Sequence, residues 1–263
     1  MKDEYFHKTN EILYITENIP TKGTSDQFYD ISFGCQCKNE CIQDTCACLR
    51  YAKNYITENT SDLSSYKLLN RNSPIYECNS SCKCKKYCGN KLVQFGPILG
   101  LQIFDCNGAN LYHKGKGLKT SINVKKGTFI CEYSGEVLSE TEAKIRFEMQ
   151  EEKNEMNYII YVNEHFGAKK TTTIIDPSWF GNIGRYINHS CDPNCELIPV
   201  RVNCTVPKLA VFAKIDIEVG EELTFDYGSE NDDGTVCAEV QTRKLCLCNS
   251  TNCKKYLPFC LNM

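Results

Sequence analysis

Between residues 92 and 228 the apolar positions come in short runs rather than in long stripes. LGLQIFD (99–105), GTFICEYSGEVLS (127–139), NYIIYVNE (157–164), TTTIID (171–176), LIPVRVNC (197–204), KLAVFAKIDI (208–217) and EELTFDY (221–227) are rich in β-branched and aromatic residues. Each is bounded by Gly, Pro, Asn or Asp, so each predicts a strand. One stretch breaks the pattern. Ser139 suits an N-cap and Glu142, three residues on, completes a capping box, which predicts a helix running to about Glu152. A shorter helical turn is expected from Trp179 to Tyr186. Many short strands with irregular connections predict a mostly β fold. The polar, Ser- and Asn-rich stretch from Asn54 to Tyr76 reads as a surface loop.

Composition adds less, except at one point. The 263 residues are 41% apolar and 24% charged, enough for one large domain or two small ones. No apolar run reaches the roughly 20 residues a membrane helix needs. The start, MKDEYFHKTNEILYITENIP, has no apolar core of a signal peptide, so a reducing compartment is expected and a membrane is not. A net charge of −3 argues against a DNA-binding surface, so direct sequence-specific DNA binding is not expected, and it suits a cationic partner better. The outlying number is 19 cysteines. Away from oxidising compartments, that density points to metal.

Nine of them form two groups: Cys35, Cys37, Cys41, Cys46 and Cys48, then Cys78, Cys82, Cys84 and Cys88. An odd number disfavours a disulfide scaffold. Tetrahedral zinc takes four thiolates, so six terminal and three bridging sulfurs would serve about three ions in a compact triangle. Cys246, Cys248 and Cys253 form a third group that lacks one ligand, and Cys191 in NHSCDPN is the candidate for it. Cys106, Cys131, Cys195, Cys204, Cys237 and Cys260 have no metal-like spacing. About four zinc ions are expected in all.

Three further motifs are weak one by one. Gly115-Lys116-Gly117 is a turn that leads to a strand, not a dinucleotide fingerprint. Arg185-Tyr186-Ile187-Asn188-His189-Ser190-Cys191-Asp192-Pro193-Asn194 could be a turn, and Glu222 to Gly228 a strand end. In this order and between these cysteine groups, they resemble the SET-domain lysine methyltransferases. The carrying stretches are CEYSGEVL, NYIIYV, GNIGRYINHSCDPN, IPVRVNCTVPKLAVFA and CLCNSTNCKKYLPF, which together span nearly the whole chain.

The resemblance implies a SET fold of short curled sheets with a pseudoknot. It divides the chain into an N-terminal segment (1–30), a pre-SET zinc domain (31–96), a SET domain (97–228), and a linker with post-SET (229–263). It implies methyl transfer from S-adenosylmethionine to a lysine. The histone H3 tail is the expected partner, at its ninth residue or further along, with another lysine-containing protein as the alternative. Nucleus and chromosome are the expected location. Lys114, Gly115, Lys116, Gly117, Tyr158, Arg185, Asn188 and His189 match cofactor contacts. Tyr227 and Tyr133 match the channel tyrosines, and Phe225 falls where product state is set. Two departures stand out: Lys116 replaces a Trp common in relatives, and Tyr186 replaces a Phe. A catalytically silent, zinc-braced interaction module is the rival reading, opposed by the presence of Tyr133, Asn188, His189 and Tyr227.

Overall fold

The structure is a computed structural model that describes every residue except 1, 2, 4, 6–11, 30–32, 58, 60, 61, 63, 64, 70, 107–113, 154, 229–243 and 259–263. Two four-stranded sheets carry it. In the first, the order is Ile75–Tyr76, Cys195–Arg201, Lys208–Ala213 and Phe129–Tyr133. In the second, it is Ile160–Phe166, Lys169–Asp176, Glu136–Leu138 and Ile19–Pro20. Smaller pairings join Leu101–Asp105 to Lys116–Thr120 and Asn188–His189 to Thr224–Phe225. The helix Glu140–Glu152 starts with the expected capping box between Ser139 and Glu142. Arg146 fixes it to the second sheet through Glu136 (2.7 Å) and Asp176 (2.9 Å).

The run LAVFA (209–213) is apolar throughout because its strand is covered on both faces. Leu209, Val211 and Ala213 enter the main core with Ile130, Ile187, Leu223 and Phe225. Ala210 and Phe212 point the other way, into a second core with Tyr55, Tyr66, Leu68 and Ile75. That second core corrects the surface-loop reading of Asn54 to Tyr76. Tyr55–Ile56 pairs with Lys67–Leu68, and Ile75–Tyr76 pairs in parallel with Val200–Arg201. Two-residue strands are too short to show alternation, and their apolar residues stand singly among polar ones. The helical turn is also shorter than expected. Ile183–Tyr186 forms a 3-10 turn capped by the Asn182 side chain, whereas Phe180–Gly181 pairs in parallel with Leu13–Tyr14.

Glu77 joins the cysteine-rich lobe to the rest. It is buried, and its Oε1 accepts from the Tyr55 hydroxyl (2.8 Å) and from the backbone N–H of Leu92 and Val93 (2.7 Å each). Its Oε2 accepts from Gln94 Nε2 at 2.8 Å. Replacing Glu77 by Ala orphans several buried donors at once, each costing about 1–3 kcal/mol. Glu77→Ala is expected to lower stability in urea unfolding by about 3 kcal/mol or more. A midpoint within error of the parent protein would contradict this role.

Candidate active site and zinc centres

The site is built where two chain segments cross. Asn188–His189 lies parallel to Thr224–Phe225, and the Ser190 N–H donates to the Phe225 carbonyl at 3.2 Å. Two residues a side make a weak ladder, and one side chain reinforces it. Asn194 Oδ1 accepts from the Thr224 N–H (2.9 Å) while its Nδ2 donates to the Glu222 carbonyl (2.8 Å). Asn194 closes the motif Arg185–Asn194, where nothing in the residues alone marks it for this task.

The crossing sets an aromatic group. Phe225 is buried, with ring centres 5.8 Å from Tyr133 and 5.0 Å from Tyr227. Tyr227 donates its hydroxyl proton to the Ile187 carbonyl (2.8 Å), and Tyr133 donates to the Tyr158 carbonyl (2.6 Å). Burial pushes both phenols above their ordinary range, so both stay protonated at neutral pH. The protons are committed to main-chain carbonyls, which leaves each oxygen's lone pairs as acceptors.

His189 connects this group to the cysteines. Burial holds its pKa below the usual imidazole value, which keeps it neutral. Nδ1 accepts from the Tyr227 N–H (3.3 Å), so the ring proton belongs on Nε2, 3.4 Å from Cys191 Sγ. Arg185 is buried with its guanidinium 4.2 Å from the Tyr158 ring centre.

The segment 156–159 separates two cavities. Tyr158 and Arg185 face one of about 420 Å³, beside Trp179 and Met149. Asn157, Ile159 and Tyr227 face a smaller one of about 80 Å³, with Leu257 and Lys244 from the tail. The other cofactor candidates gather around an unforeseen centre. Glu222 holds Lys114 Nζ at 2.7 Å and Asn188 Nδ2 at 2.8 Å, and Asn188 Nδ2 also donates to the Lys116 carbonyl at 3.1 Å. Cys106 lies against both Glu222 and Asn188 at 3.7 Å. Gly117 must lack a side chain there, since a Cβ would sit 2.6 Å from Cys106 Sγ. Gly115, at a φ of 77°, has nothing within 4 Å of where its Cβ would be, so its backbone is open to approach. These residues fit a flexible ligand carrying amines.

The cysteines assemble as the spacing suggested, with one exception. Three overlapping quartets form: Cys35, Cys48, Cys78, Cys82; Cys35, Cys41, Cys46, Cys78; and Cys41, Cys78, Cys84, Cys88. Sulfur separations include 3.7 Å for Cys35–Cys41 and 3.5 Å for Cys41–Cys78. A zinc tetrahedron with bonds of about 2.3 Å has edges of about 3.8 Å, so the fit is close. Cys37 packs against the cluster but joins no quartet, and Cys78 belongs to all three. At the other end, Cys191, Cys246, Cys248 and Cys253 bring their sulfurs within 4.8 Å of one another. Backbone N–H groups of Lys254 and Lys255 donate to Cys191 and Cys253 sulfurs, the kind of support that tunes metal thiolates. Both clusters could hold zinc. Cys131 and Cys195 are core residues. Cys237 and Cys260 lie outside the described residues.

The family pattern described as a SET domain matches residues 115–228, and the Pre-SET motif matches residues 2–91. A Caenorhabditis briggsae protein named probable histone-lysine N-methyltransferase set-23 is 40% identical over 249 residues, covering 93% of this chain and 95% of that protein. The chain belongs to the SET-domain histone-lysine methyltransferases. The methyltransferase domain of human SETMAR is similar to it in structure, with a TM-score of 0.77 and 37% identity over 94% of this chain and 89% of that one. KRYPTONITE, solved with mCHH DNA, an H3(1-15) peptide and SAH, is similar at a TM-score of 0.72 and 25% identity, over 96% of this chain and 48% of that one. In SET terms, the two cysteine clusters are the pre-SET and post-SET groups.

Cys248→Ser is expected to remove about one of four zinc ions and abolish methyl transfer, while the nine-cysteine cluster keeps its metal. Metal analysis beside a turnover assay checks this. Normal turnover in the variant would contradict it.

Proposed function

We propose that this SET protein is an S-adenosylmethionine-dependent protein-lysine N-methyltransferase that acts on the histone H3 tail, at the ninth residue or a lysine further along. Nucleus and chromosome are then its place of work. The observation that carries this reading is the Tyr133–Phe225–Tyr227 group, whose two hydroxyl protons are tied to main-chain carbonyls.

Attack requires a neutral amine, and taking a lysine from its reference pKa near 10.4 to pH 7 costs roughly 4–5 kcal/mol. An aromatic-walled channel lowers that cost by excluding water from the charged form. When bound, S-adenosylmethionine supplies an electrophilic methyl group on a sulfonium. Lys114 to Gly117, Tyr158, Arg185, Asn188 and His189 would hold it. The lone pairs of Tyr227 and Tyr133 accept N–H bonds from the substrate amine and turn its own lone pair toward the methyl, so the gain comes from alignment and fixed dipoles. No metal takes part in that step.

The small cavity beside Tyr227 supports entry of the substrate from the face opposite Tyr158. Strand Ile160–Phe166 is at the edge of its sheet among the described residues, so an extended peptide can add to it through main-chain hydrogen bonds. Glu151 lines the same cavity and suits a basic tail. The H3(1-15) peptide bound by KRYPTONITE supports that choice of tail.

Position 225 falls where the family resemblance places the residue that sets product state, and a Phe there implies room for more than one methyl group, so at least dimethylation is expected. Recombinant nucleosomes incubated with labelled cofactor, then mapped by peptide mass spectrometry, test both points. Label on an H3 tail lysine with dimethyl product is the expected result. Label absent from the tail would overturn the substrate, and monomethyl-lysine alone at exhaustive turnover would overturn the product state.

A further inference from the structure

We propose that Glu222 is a positioning residue that sets the polarity of the Asn188 carboxamide, so that Asn188 offers the cofactor an acceptor. The inference rests on the functional reading above and extends it to a residue outside the expected site.

Asn188 has a donor edge and an acceptor edge, and its neighbours decide which faces the ligand. Nδ2 lies 2.8 Å from Glu222 Oε1 and 3.1 Å from the Lys116 carbonyl oxygen. An ionised carboxylate and a carbonyl accept only. The NH₂ edge must therefore face them, and Oδ1 must face away. Among the described residues no donor is bonded to Asn188 Oδ1. The exposed edge is thus an acceptor in a site whose ligand carries two donor groups, the α-ammonium and the purine 6-amino group.

Glu222 is held firmly enough for this task. Its backbone is fixed by the bridge to Lys119 and by the Asn194 carboxamide. Its carboxylate is pinned by Lys114 through both oxygens, at 2.9 and 2.7 Å. The ion pair is partly buried, with side-chain exposures of 20% and 26%. Lys114 also offsets a negative charge that would otherwise compete with Asn188 for a cationic ligand.

Glu222→Gln keeps the shape and changes the logic. A Gln side chain has one acceptor oxygen and must choose between Lys114 and Asn188. Serving Lys114 turns its NH₂ toward Asn188, so only the Lys116 carbonyl still holds the Asn188 NH₂ edge, and the carboxamide no longer presents one fixed acceptor to the ligand's amines. Cys106→Ala is the control. It removes a neighbour in contact with both Glu222 and Asn188 but leaves the carboxylate and its ion pair with Lys114 in place.

The test is calorimetric binding of S-adenosylhomocysteine and two analogues, one without the α-amino group and one with hydrogen in place of the purine 6-amino group. The parent protein is expected to favour the natural ligand over one analogue by about tenfold, the scale of a charge-assisted hydrogen bond. Which analogue loses affinity identifies the amine that Asn188 receives. Glu222→Gln is expected to lose that preference, with the rise falling on the cofactor KM more than on kcat. Cys106→Ala is expected to keep it. Retained preference in Glu222→Gln would overturn the proposal, and so would loss in both variants together with a fall in melting temperature. Failure of the parent protein to bind any of the three would instead overturn the functional reading itself.

Discussion

The crossing of residues 188–194 with residues 222–225 is the constraint on which the site depends. Backbone pairing there amounts to two residues a side, which cannot hold two segments together in water. The crossing survives because several independent ties converge on it. Ile187 and Leu223 are fully buried beneath it. Asn194 bonds the partner segment from both ends of its amide, and the Glu222 carboxylate reaches back to Asn188. Tyr227 closes the far side by donating to the Ile187 carbonyl. Each tie also ends on or beside a candidate site residue, so the fold and the site share the same bonds.

The cysteine clusters act on this crossing from two directions. The pre-SET cluster is connected through Glu77 and the outer face of strand Lys208–Ala213, whose inner face supports Phe225. Its effect is that of a buttress. The post-SET group is closer to the chemistry. Cys191 lies in the crossing segment itself, and its sulfur is 3.4 Å from His189, which in turn accepts the Tyr227 N–H. Metal bound there would fix the tail and the tyrosine through one short chain of contacts, without touching the methyl group.

Much of this was legible in the residues. KLAVFA, FICEY and the Ser139 capping box carried their elements because each is long enough to hold a pattern. The cysteine spacing carried the clusters, down to Cys191 as the fourth member of the C-terminal group. What the sequence hid has a common cause. Tyr55, Leu68 and Ile75 belong to strands of two residues, whose burial comes from a distant strand rather than from local pattern. Glu222 and Asn194 are ordinary polar residues in sequence, and only the crossing brings their side chains to Asn188 and Thr224. Cys37 shows the reverse limit, since its spacing is right and its sulfur still stands outside the quartets.

In the proposed reaction the channel tyrosines, and not the metal, act on the substrate amine. Single-turnover methyl transfer by Tyr227→Phe, with zinc content and cofactor affinity measured on the same sample, separates the two roles. The expected rate is lower by about a hundredfold or more, the scale of losing one oriented polar group, with zinc and cofactor binding unchanged. A parent-like rate in Tyr227→Phe, or a loss that follows zinc content instead, would contradict it.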